Sequence, residues 1–242
     1  MQQPTFTIIV PVFDETDALI FSNFYFNKLG LKPIYALDSK RISRRAEVEK
    51  RLGRAVTIYQ NPGNCIEASY QNLASLSPTD LLLRIDCDEI PNQATLEHCA
   101  RFTTRPTDAY CGFDRDDLVW RGTHFERLKY APLFVDTQFR LFNRTKVNFL
   151  NRIHTPGFHV PKWKLPFLPG WNAPRSARIY HLQRVFITPE QRAEKLARYN
   201  AAGQDQQFNN WLARPDESFK WRSFDDQAFT EIFARWKAAQ AQ

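Results

Sequence analysis

Short apolar runs alternate with amphipathic stretches through the first part of the chain. Each run has the length of a buried strand and is bounded by turn residues; the runs are 5–13, 32–37, 55–59 and 81–85. The stretches between them have helical length, and they end near Gly30, Gly53 and Leu76. Strands that alternate with helices in this way predict a parallel sheet covered by helices on both faces.

The alternation fades after about residue 93, and the pattern there predicts strands joined by longer connections. We expect those strands at 109–113, 117–120, 138–142 and 177–182. The segment 188–191 is then a helix start, with a threonine cap, proline at the first position and glutamine at the third. That helix is predicted to reach about Asn200, and aromatic residues at helical spacing predict a last helix over 225–239.

The 242-residue chain carries a formal net charge of +7 and has a pI near 9.3. This charge favours an anionic partner, although lysine and arginine are scattered as on an ordinary solvated surface. The four cysteines form no Cys-x-x-Cys pair and no zinc spacing, which is typical of a reducing compartment. The N-terminus lacks a signal-peptide pattern and no apolar run has bilayer length, so we expect a cytoplasmic protein.

Three carboxylates follow the fourth predicted strand: Asp86, Asp88 and Glu89, with Pro91 closing the segment. Proline cannot continue a central strand, so the chain is expected to turn there. Ligands bind at the carboxyl edge of a parallel sheet, and clustered acids repel one another unless a cation neutralises them. Asp86 and Asp88 are therefore a candidate site for Mg²⁺ or Mn²⁺ carrying phosphate groups, the alternative being an acidic, helix-capping turn. The chain has neither Gly-x-Gly-x-x-Gly nor Gly-x-x-x-x-Gly-Lys, which argues against dinucleotide and P-loop sites.

Five segments share an order and spacing with a known family. They read TFTIIVPVFDE at 5–15, NPGNCIEASYQN at 61–72, LLLRIDCDEIP at 81–91, VDTQFRLFNR at 135–144 and HLQRVFITPEQRAEKLARYN at 181–200. Together they resemble the family 2 glycosyltransferases, which have the GT-A fold that binds nucleotide-diphosphosugars. The last segment is similar to a bacterial branch that acts on lipopolysaccharide or other surface glycans.

The resemblance implies an α/β fold of three layers with a mostly parallel central sheet and a smaller acceptor-side second half. It implies a nucleotide-sugar half over 1–92, an acceptor half over 93–200 and a helical extension over 201–242. The implied reaction moves a sugar with inversion from a nucleotide-diphosphate sugar, expected to be a UDP-sugar, to a hydroxyl of a glycan or glycolipid. Mn²⁺ or Mg²⁺ would neutralise the leaving diphosphate.

The resemblance also assigns residues on the donor side. Asp88 matches the metal-binding carboxylate, Asp86 either faces the ribose or shares the metal, and His181 completes the metal shell. The positions that match nucleoside-binding residues are Pro11, Phe13, Glu15 and Asp38. Since many histidines in proteins are structural, a hydrogen-bonded histidine without a ligand is the alternative for His181.

On the acceptor side, Asp136 matches the general base that inversion requires. The family's usual acidic pair is here Val135-Asp136, so Asp136 as a capping residue, with Asp116 or Asp117 as the base, stays open. His154 matches an acceptor-side turn, or is structural. Arg140 lies on the acceptor side and is either a diphosphate ligand or a buried structural partner.

Other functions fit the sequence less well. A nucleotidyltransferase would carry a Gly-rich basic loop after the first strand, and this chain has none. A non-catalytic glycan- or nucleotide-binding protein on the same scaffold is the main alternative, whereas nucleic acid is disfavoured because clustered carboxylates repel phosphate chains. The aromatic and basic segment 162–171 permits a peripheral contact with the inner face of a membrane, or is an ordinary acceptor loop.

Overall fold

A sheet of ten strands runs through the computed structural model, which describes residues 6–12, 17–63, 66–102, 109–129, 136–150, 158–159, 173–201 and 214–240. The predicted roles of Phe13, Glu15 and His154, and the membrane contact at 162–171, lie outside these residues. Within them, no helix is both long enough and apolar enough to cross a bilayer.

Four parallel strands form one half of the sheet, in the spatial order β3-β2-β1-β4. They are β1 (Thr7–Val12), β2 (Ile34–Asp38), β3 (Thr57–Tyr59) and β4 (Leu81–Arg84). The helices between them are α1 (Asp17–Lys28), α2 (Arg45–Leu52) and α3 (Tyr70–Ser75). The predicted α/β class and parallel order are confirmed, because each apolar run became a strand whose neighbours bury it.

Two predicted helices in this half begin with a turn of 3₁₀ helix. The helix expected from Lys40 is 3₁₀ over Ser39–Arg44, and only then α2. Its start is set by Asp38, whose side chain accepts a hydrogen bond from the backbone N–H of Lys40 at 2.9 Å. Gly53 ends α2 as predicted, since its φ of 64° lets its N–H bond back to the carbonyls of the last turn.

The second half adds antiparallel strands to the same sheet. Its elements are β5 (Glu89–Pro91), α4 (Gln93–Arg101), β6 (Tyr110–Trp120), β7 (Phe125–Leu128), β8 (Thr137–Asn143), β9 (Arg178–His181), α5 (Gln183–Phe186), α6 (Pro189–Ala201), β10 (Trp221–Ser223) and α7 (Gln227–Gln240). β8 lies antiparallel between β4 and β6, so one sheet continues across the predicted boundary at residue 92. β9 runs parallel to β6 and antiparallel to β5.

Several details of this half differ from the prediction. Pro91 lies in β5 and pairs with Ile179, instead of ending the strand segment in a turn. It is tolerated because, in the described part of the sheet, β5 pairs only with β9. The strands expected at 109–113 and 117–120 are one strand, β6, which stays continuous through a bulge between Cys111 and Gly112. β7 and β10 were not predicted.

The sheet is covered on both faces, which gives three layers. Ile8, Val10 and Val12 of β1 join the core that also contains residues of α1, α2, α4 and α7. Ile9 points to the other face and packs with residues of α3. This alternation along one strand is the reason that the two helical layers have separate cores.

The C-terminal helix α7 belongs to the first of these cores, as its spacing predicted. Phe229, Phe233 and Trp236 are buried, and their rings lie 5.9, 5.0 and 5.3 Å from the ring of Phe21 in α1. The helix start at 188–191 is also confirmed, with the N–H of Gln191 3.3 Å from the Thr188 hydroxyl and the reciprocal bond at 2.9 Å.

Candidate functional site

The acidic segment forms a tight turn at the carboxyl end of β4. The N–H of Ile85 still bonds to the carbonyl of Ile9 in β1 at 3.0 Å, so the turn begins directly at the edge of the parallel sheet. The N–H of Glu89 then bonds to the Asp86 carbonyl at 2.9 Å, and the chain leaves along β5. The three carboxylates therefore lie where the sequence placed them, at the edge where α/β sheets bind ligands.

Asp86 is held by two buried arginines. Arg84, the last residue of β4, donates to one of its oxygens, and Arg140 of β8 donates to the other at 2.8 Å. Arg84 also lies 4.7 Å from the centre of the Tyr70 ring. The structure confirms the buried pairing that was one alternative for Arg140. The Asp86 side chain keeps 35% of its surface exposed, so a ligand at the edge can still reach it.

Glu89 lies deeper in the protein and pairs with the same Arg140 that holds Asp86. Its side chain is 1% exposed, and it accepts a bond from Arg140. Arg115 of β6 approaches the same carboxylate, with 3.6 Å between Nη1 and Oε1. Burial and the Asp86 carboxylate raise the pKa of Glu89 to about 8, against the opposing fields of Arg115 and Arg84.

Asp136 is joined to the same network through Arg115. Nε and Nη2 of Arg115 lie 2.7 and 2.6 Å from one Asp136 oxygen, and Gln138 donates to the other at 2.6 Å. We call the series Arg84, Asp86, Arg140, Glu89, Arg115 and Asp136 the arginine–carboxylate chain. It connects the predicted metal turn to the predicted base, residues that are about 50 positions apart in sequence.

Asp88 lies outside the arginine–carboxylate chain and faces a histidine. Nε2 of His181, the last residue of β9, is 3.6 Å from Oδ2 of Asp88. The other ring nitrogen, Nδ1, contacts the carboxylate of Asp117 in β6. Register explains the meeting, because His181 lies opposite Glu89 in β5 and opposite Asp117 in β6.

The charges around His181 are strongly coupled. Burial and Arg115 lower its pKa, but the carboxylates of Asp117 and Asp88 outweigh them and raise it to about 9. Burial raises the pKa of Asp88, yet His181, Lys195 and Arg115 together hold it well below the usual range. Asp88 is thus a carboxylate with its charge retained in a largely buried position.

The donor atoms at this edge suit a divalent cation with few protein ligands. Asp88 offers a carboxylate oxygen and His181 an imidazole nitrogen, a set that Mn²⁺-like ions accept. Among the described residues, no group of three or more His, Cys, Asp or Glu side chains is arranged to hold a metal ion. Two side chains, Asp88 and His181, are therefore placed to bind such an ion. Asp86 is paired with arginines, and the role of Asp86 as a metal ligand stays a prediction.

The remaining predicted nucleoside residues lie further along the same edge. Pro11 is buried in β1 beside Ala36 of β2. Asp38 is completely buried at the end of β2, and its oxygens accept bonds from the Lys40 N–H at 2.9 Å and from the Asn61 side chain at 2.7 Å. As placed, Asp38 orders two loops of the edge, and direct contact with a nucleoside stays a prediction for both residues.

The sequence analysis placed Glu89 in the acidic segment without a role, missed Arg84 and Arg115, and considered Asp117 only as a base. A signal was available, because the four consecutive charges of 114–117 interrupt a strand whose flanks are apolar. Charges in such a position need buried partners. Strand alternation sorts them, so that Arg115 and Asp117 face the site whereas Asp114 and Asp116 face Arg178 on the other side of β6.

Comparison with known proteins gives likenesses of fold at low identity. No protein family matches the chain, and no curated protein matches it in sequence. A crystal structure of 4-diphosphocytidyl-2C-methyl-D-erythritol synthase is 13% identical, covers 59% of this chain and 76% of that chain, and has a TM-score of 0.35. CMP:2-keto-3-deoxy-manno-octonic acid synthetase complexed with CTP is 10% identical, with coverages of 58% and 75% and a TM-score of 0.35. S. aureus TarS 1-349 is 10% identical, with coverages of 86% and 69% and a TM-score of 0.37. These likenesses do not identify a family for the chain.

Proposed function

We propose that the protein is a metal-dependent, inverting glycosyltransferase. It would move a sugar from a nucleotide-diphosphate sugar, with UDP-sugar as the first candidate, to a hydroxyl of a glycan or glycolipid in lipopolysaccharide or surface polysaccharide synthesis. The observation that carries the proposal is the pair of Asp88 and His181, whose Oδ2 and Nε2 face each other across 3.6 Å at the carboxyl edge of the parallel sheet.

The balance of charge supports a cation at this pair. The arginine–carboxylate chain contains three guanidinium groups and three carboxyl groups, and the pKa of one of these, Glu89, is raised to about 8. Its acids already have cationic partners and need no added cation. Asp88 lies outside the arginine–carboxylate chain, in the fields of Lys195 and Arg115, and it faces His181, which also contacts the Asp117 carboxylate. The Asp88 and Asp117 carboxylates both face the imidazole of His181, and their fields raise its pKa to about 9. A divalent ion with phosphate ligands would take the place of the Nε2 proton beside Asp88.

Asp88 and His181 are thus the residues that would hold Mn²⁺ or Mg²⁺. When bound there, such an ion supplies Lewis-acid stabilisation to the leaving diphosphate. His181 contributes Nε2 only when that nitrogen is unprotonated, so Nδ1 must carry the proton and donate it to Asp117. Asp86, exposed at the same edge, would accept a bond from the ribose while Arg84 and Arg140 hold its position.

Asp136 is the general base in this proposal. Arg115 and Gln138 hold both of its oxygens in place. The proton of the acceptor hydroxyl would pass to an Asp136 oxygen as the hydroxyl attacks the anomeric carbon from the side opposite the diphosphate. Asp116 and Asp117, the alternatives for this role, are both 2% exposed and paired with Arg178 and His181.

The test combines nucleotide binding with turnover. Thermal unfolding is measured with UDP, GDP, CDP or TDP, each with Mn²⁺ and with EDTA, and release of the matching diphosphate from its sugar donors follows. We expect one nucleotide to raise the unfolding temperature with Mn²⁺ but not with EDTA. Asp88→Ala should abolish that rise and the turnover, whereas Asp80→Ala should retain both, because Asp80 is 64% exposed and precedes β4 at its opposite end.

Two results would overturn the proposal. A nucleotide-dependent rise that persists in EDTA and in Asp88→Ala would remove the metal from the function. No rise with any nucleotide, together with no diphosphate release, would favour a non-catalytic binding protein on this scaffold.

A further inference from the structure

We infer that Asp117 is a positioning residue that orients the His181 ring so that Nε2 faces Asp88. The inference rests on the proposed metal-dependent function, and it assigns to Asp117 a role in metal affinity instead of the base role weighed from the sequence. The relevant contact is between Asp117 and Nδ1 of His181, on the side of the ring that faces away from Asp88.

Asp117 and His181 are opposite one another in the parallel pair of β6 and β9. The Asp117 carboxylate contacts Nδ1, and both side chains are almost fully buried, at 3% and 7% exposed. Rotation of the ring by half a turn about the Cβ–Cγ bond would remove this contact and turn Nε2 away from Asp88. The buried carboxylate therefore selects one ring orientation and accepts from Nδ1, so that Nε2 is the nitrogen that would give up its proton to bind a metal ion.

The neighbouring residue Asp116 shows what a purely structural carboxylate looks like in the same strand. It is also 2% exposed, and it also pairs with a cationic residue of β9, accepting bonds of 2.6 and 2.8 Å from Arg178. However, the Asp116–Arg178 pair lies on the opposite face of β6, away from Asp88. The two adjacent aspartates match in burial and in partner strand, and they differ in whether the partner reaches the acidic edge.

Loss of a carboxylate behind a metal-bound histidine typically weakens metal affinity by about 10–100-fold. Asparagine has nearly the same shape as aspartate, so Asp117→Asn keeps the packing while removing the charge and allowing the amide to donate to Nδ1. A ring that accepts at Nδ1 carries its proton on Nε2 and has no lone pair for a metal there. The same substitution at Asp116 removes a charge from the same depth of the same strand and gives the matched control.

The experiment measures Mn²⁺ alone on the full chain, without nucleotide. Free Mn²⁺ is titrated by electron paramagnetic resonance, and the bound ion is examined by spin-echo modulation for coupling to an imidazole nitrogen. We expect wild-type protein and Asp116→Asn to bind with affinities within about twofold and to show the nitrogen coupling, which His181→Gln removes. Asp117→Asn should bind about 10–100-fold more weakly and lose most of the coupling. Unfolding temperatures in EDTA verify that each variant is folded, and Asp117→Ser replaces Asp117→Asn if the latter does not fold.

The outcomes separate this inference from the proposed function. If wild-type protein binds Mn²⁺ with nitrogen coupling and Asp117→Asn does the same with equal affinity, the positioning role is wrong while the metal site stands. If wild-type protein binds no Mn²⁺, or binds it without nitrogen coupling in a way that Asp88→Ala does not alter, the proposed metal site fails and the role of Asp117 fails with it.

Discussion

Asp86 and Asp88 are separated by one residue, but their side chains enter different networks. Asp86 pairs with Arg84 and with Arg140, the latter at 2.8 Å, whereas Asp88 faces His181 at 3.6 Å. Two acids that read as one motif in the sequence therefore have separable roles. Asp86 belongs to the arginine–carboxylate chain, and Asp88 belongs to the pair with His181 that we propose as the metal site.

Substitution of the two aspartates should separate stability from metal dependence. Asp86→Asn leaves two buried guanidinium groups short of a charged partner, so we expect unfolding free energy to fall by about 1–3 kcal/mol. Asp88→Asn leaves His181 paired with Asp117 and should cost less, while the effect of Mn²⁺ on the unfolding temperature disappears. Urea unfolding in EDTA and thermal unfolding with Mn²⁺ measure the two effects, and a reversed pattern would contradict the division.

Asp136→Asn should reduce turnover by about 10²–10⁴-fold, because the amide cannot accept the proton of the acceptor hydroxyl. Donor binding should be unchanged, since the donor binds before that proton moves. Steady-state turnover with saturating donor, and donor binding by calorimetry, provide the measurement.

Asp114→Asn is the matched control for this prediction. Asp114 and Asp136 are both 18% exposed and each pairs with an arginine, but Asp114 contacts Arg178 on the other face of β6. We expect Asp114→Asn to retain turnover within about twofold. Equal losses in the two variants would argue that the Asp136 effect is structural.

Phe233→Ala should destabilise the protein by about 3–5 kcal/mol, since the ring is fully buried between α1 and the rest of the core. The expected loss tests whether α7 is an integral part of the first core. Urea unfolding monitored by tryptophan fluorescence gives the free energy, and Lys237→Ala, at an exposed position of the same helix, should change it by less than about 0.5 kcal/mol. A loss below about 1 kcal/mol in Phe233→Ala would mean that α7 folds separately.

We expect the free energy of unfolding to fall in mild acid because of His98. Burial, with a smaller effect of Arg101, lowers its pKa in the folded protein below the unfolded value of about 6.5. Below that pH, His98 binds a proton more readily in the unfolded chain than in the folded chain. The contribution of His98 to the free energy of unfolding is therefore fully present above about pH 6.5 and declines as the pH falls. His98→Gln should flatten the slope between about pH 6.5 and 5, whereas the exposed control His124→Gln should not. Parallel urea curves of wild type and His98→Gln across this range would contradict the prediction.

The predictable features are those that depend on neighbours in sequence. Gly53 ends α2 because its own backbone adopts a positive φ, and the 188–191 helix start forms from residues three positions apart. The turn predicted at Pro91 was wrong, because the rule that proline is excluded from central strands does not say whether a given strand has one neighbour or two. The short strands β7 and β10 were not predicted because they are stabilised by pairing with partners distant in sequence, β7 with β6 and β10 with β7.

Strand and helix periodicity show which face of an element is apolar. From this local information the sequence predicts the alternating α/β half, the acidic turn at the carboxyl edge of β4, and the face of α7 that packs on the core. The partner that each charged residue meets depends on the tertiary structure. Asp88 and His181, Arg115 and Asp136, and Asp117 and His181 come together through the register of β5, β6, β8 and β9. Register is set by packing over the whole sheet, and a shift of one residue would exchange the two faces of β6 and put Asp116 where Asp117 now lies.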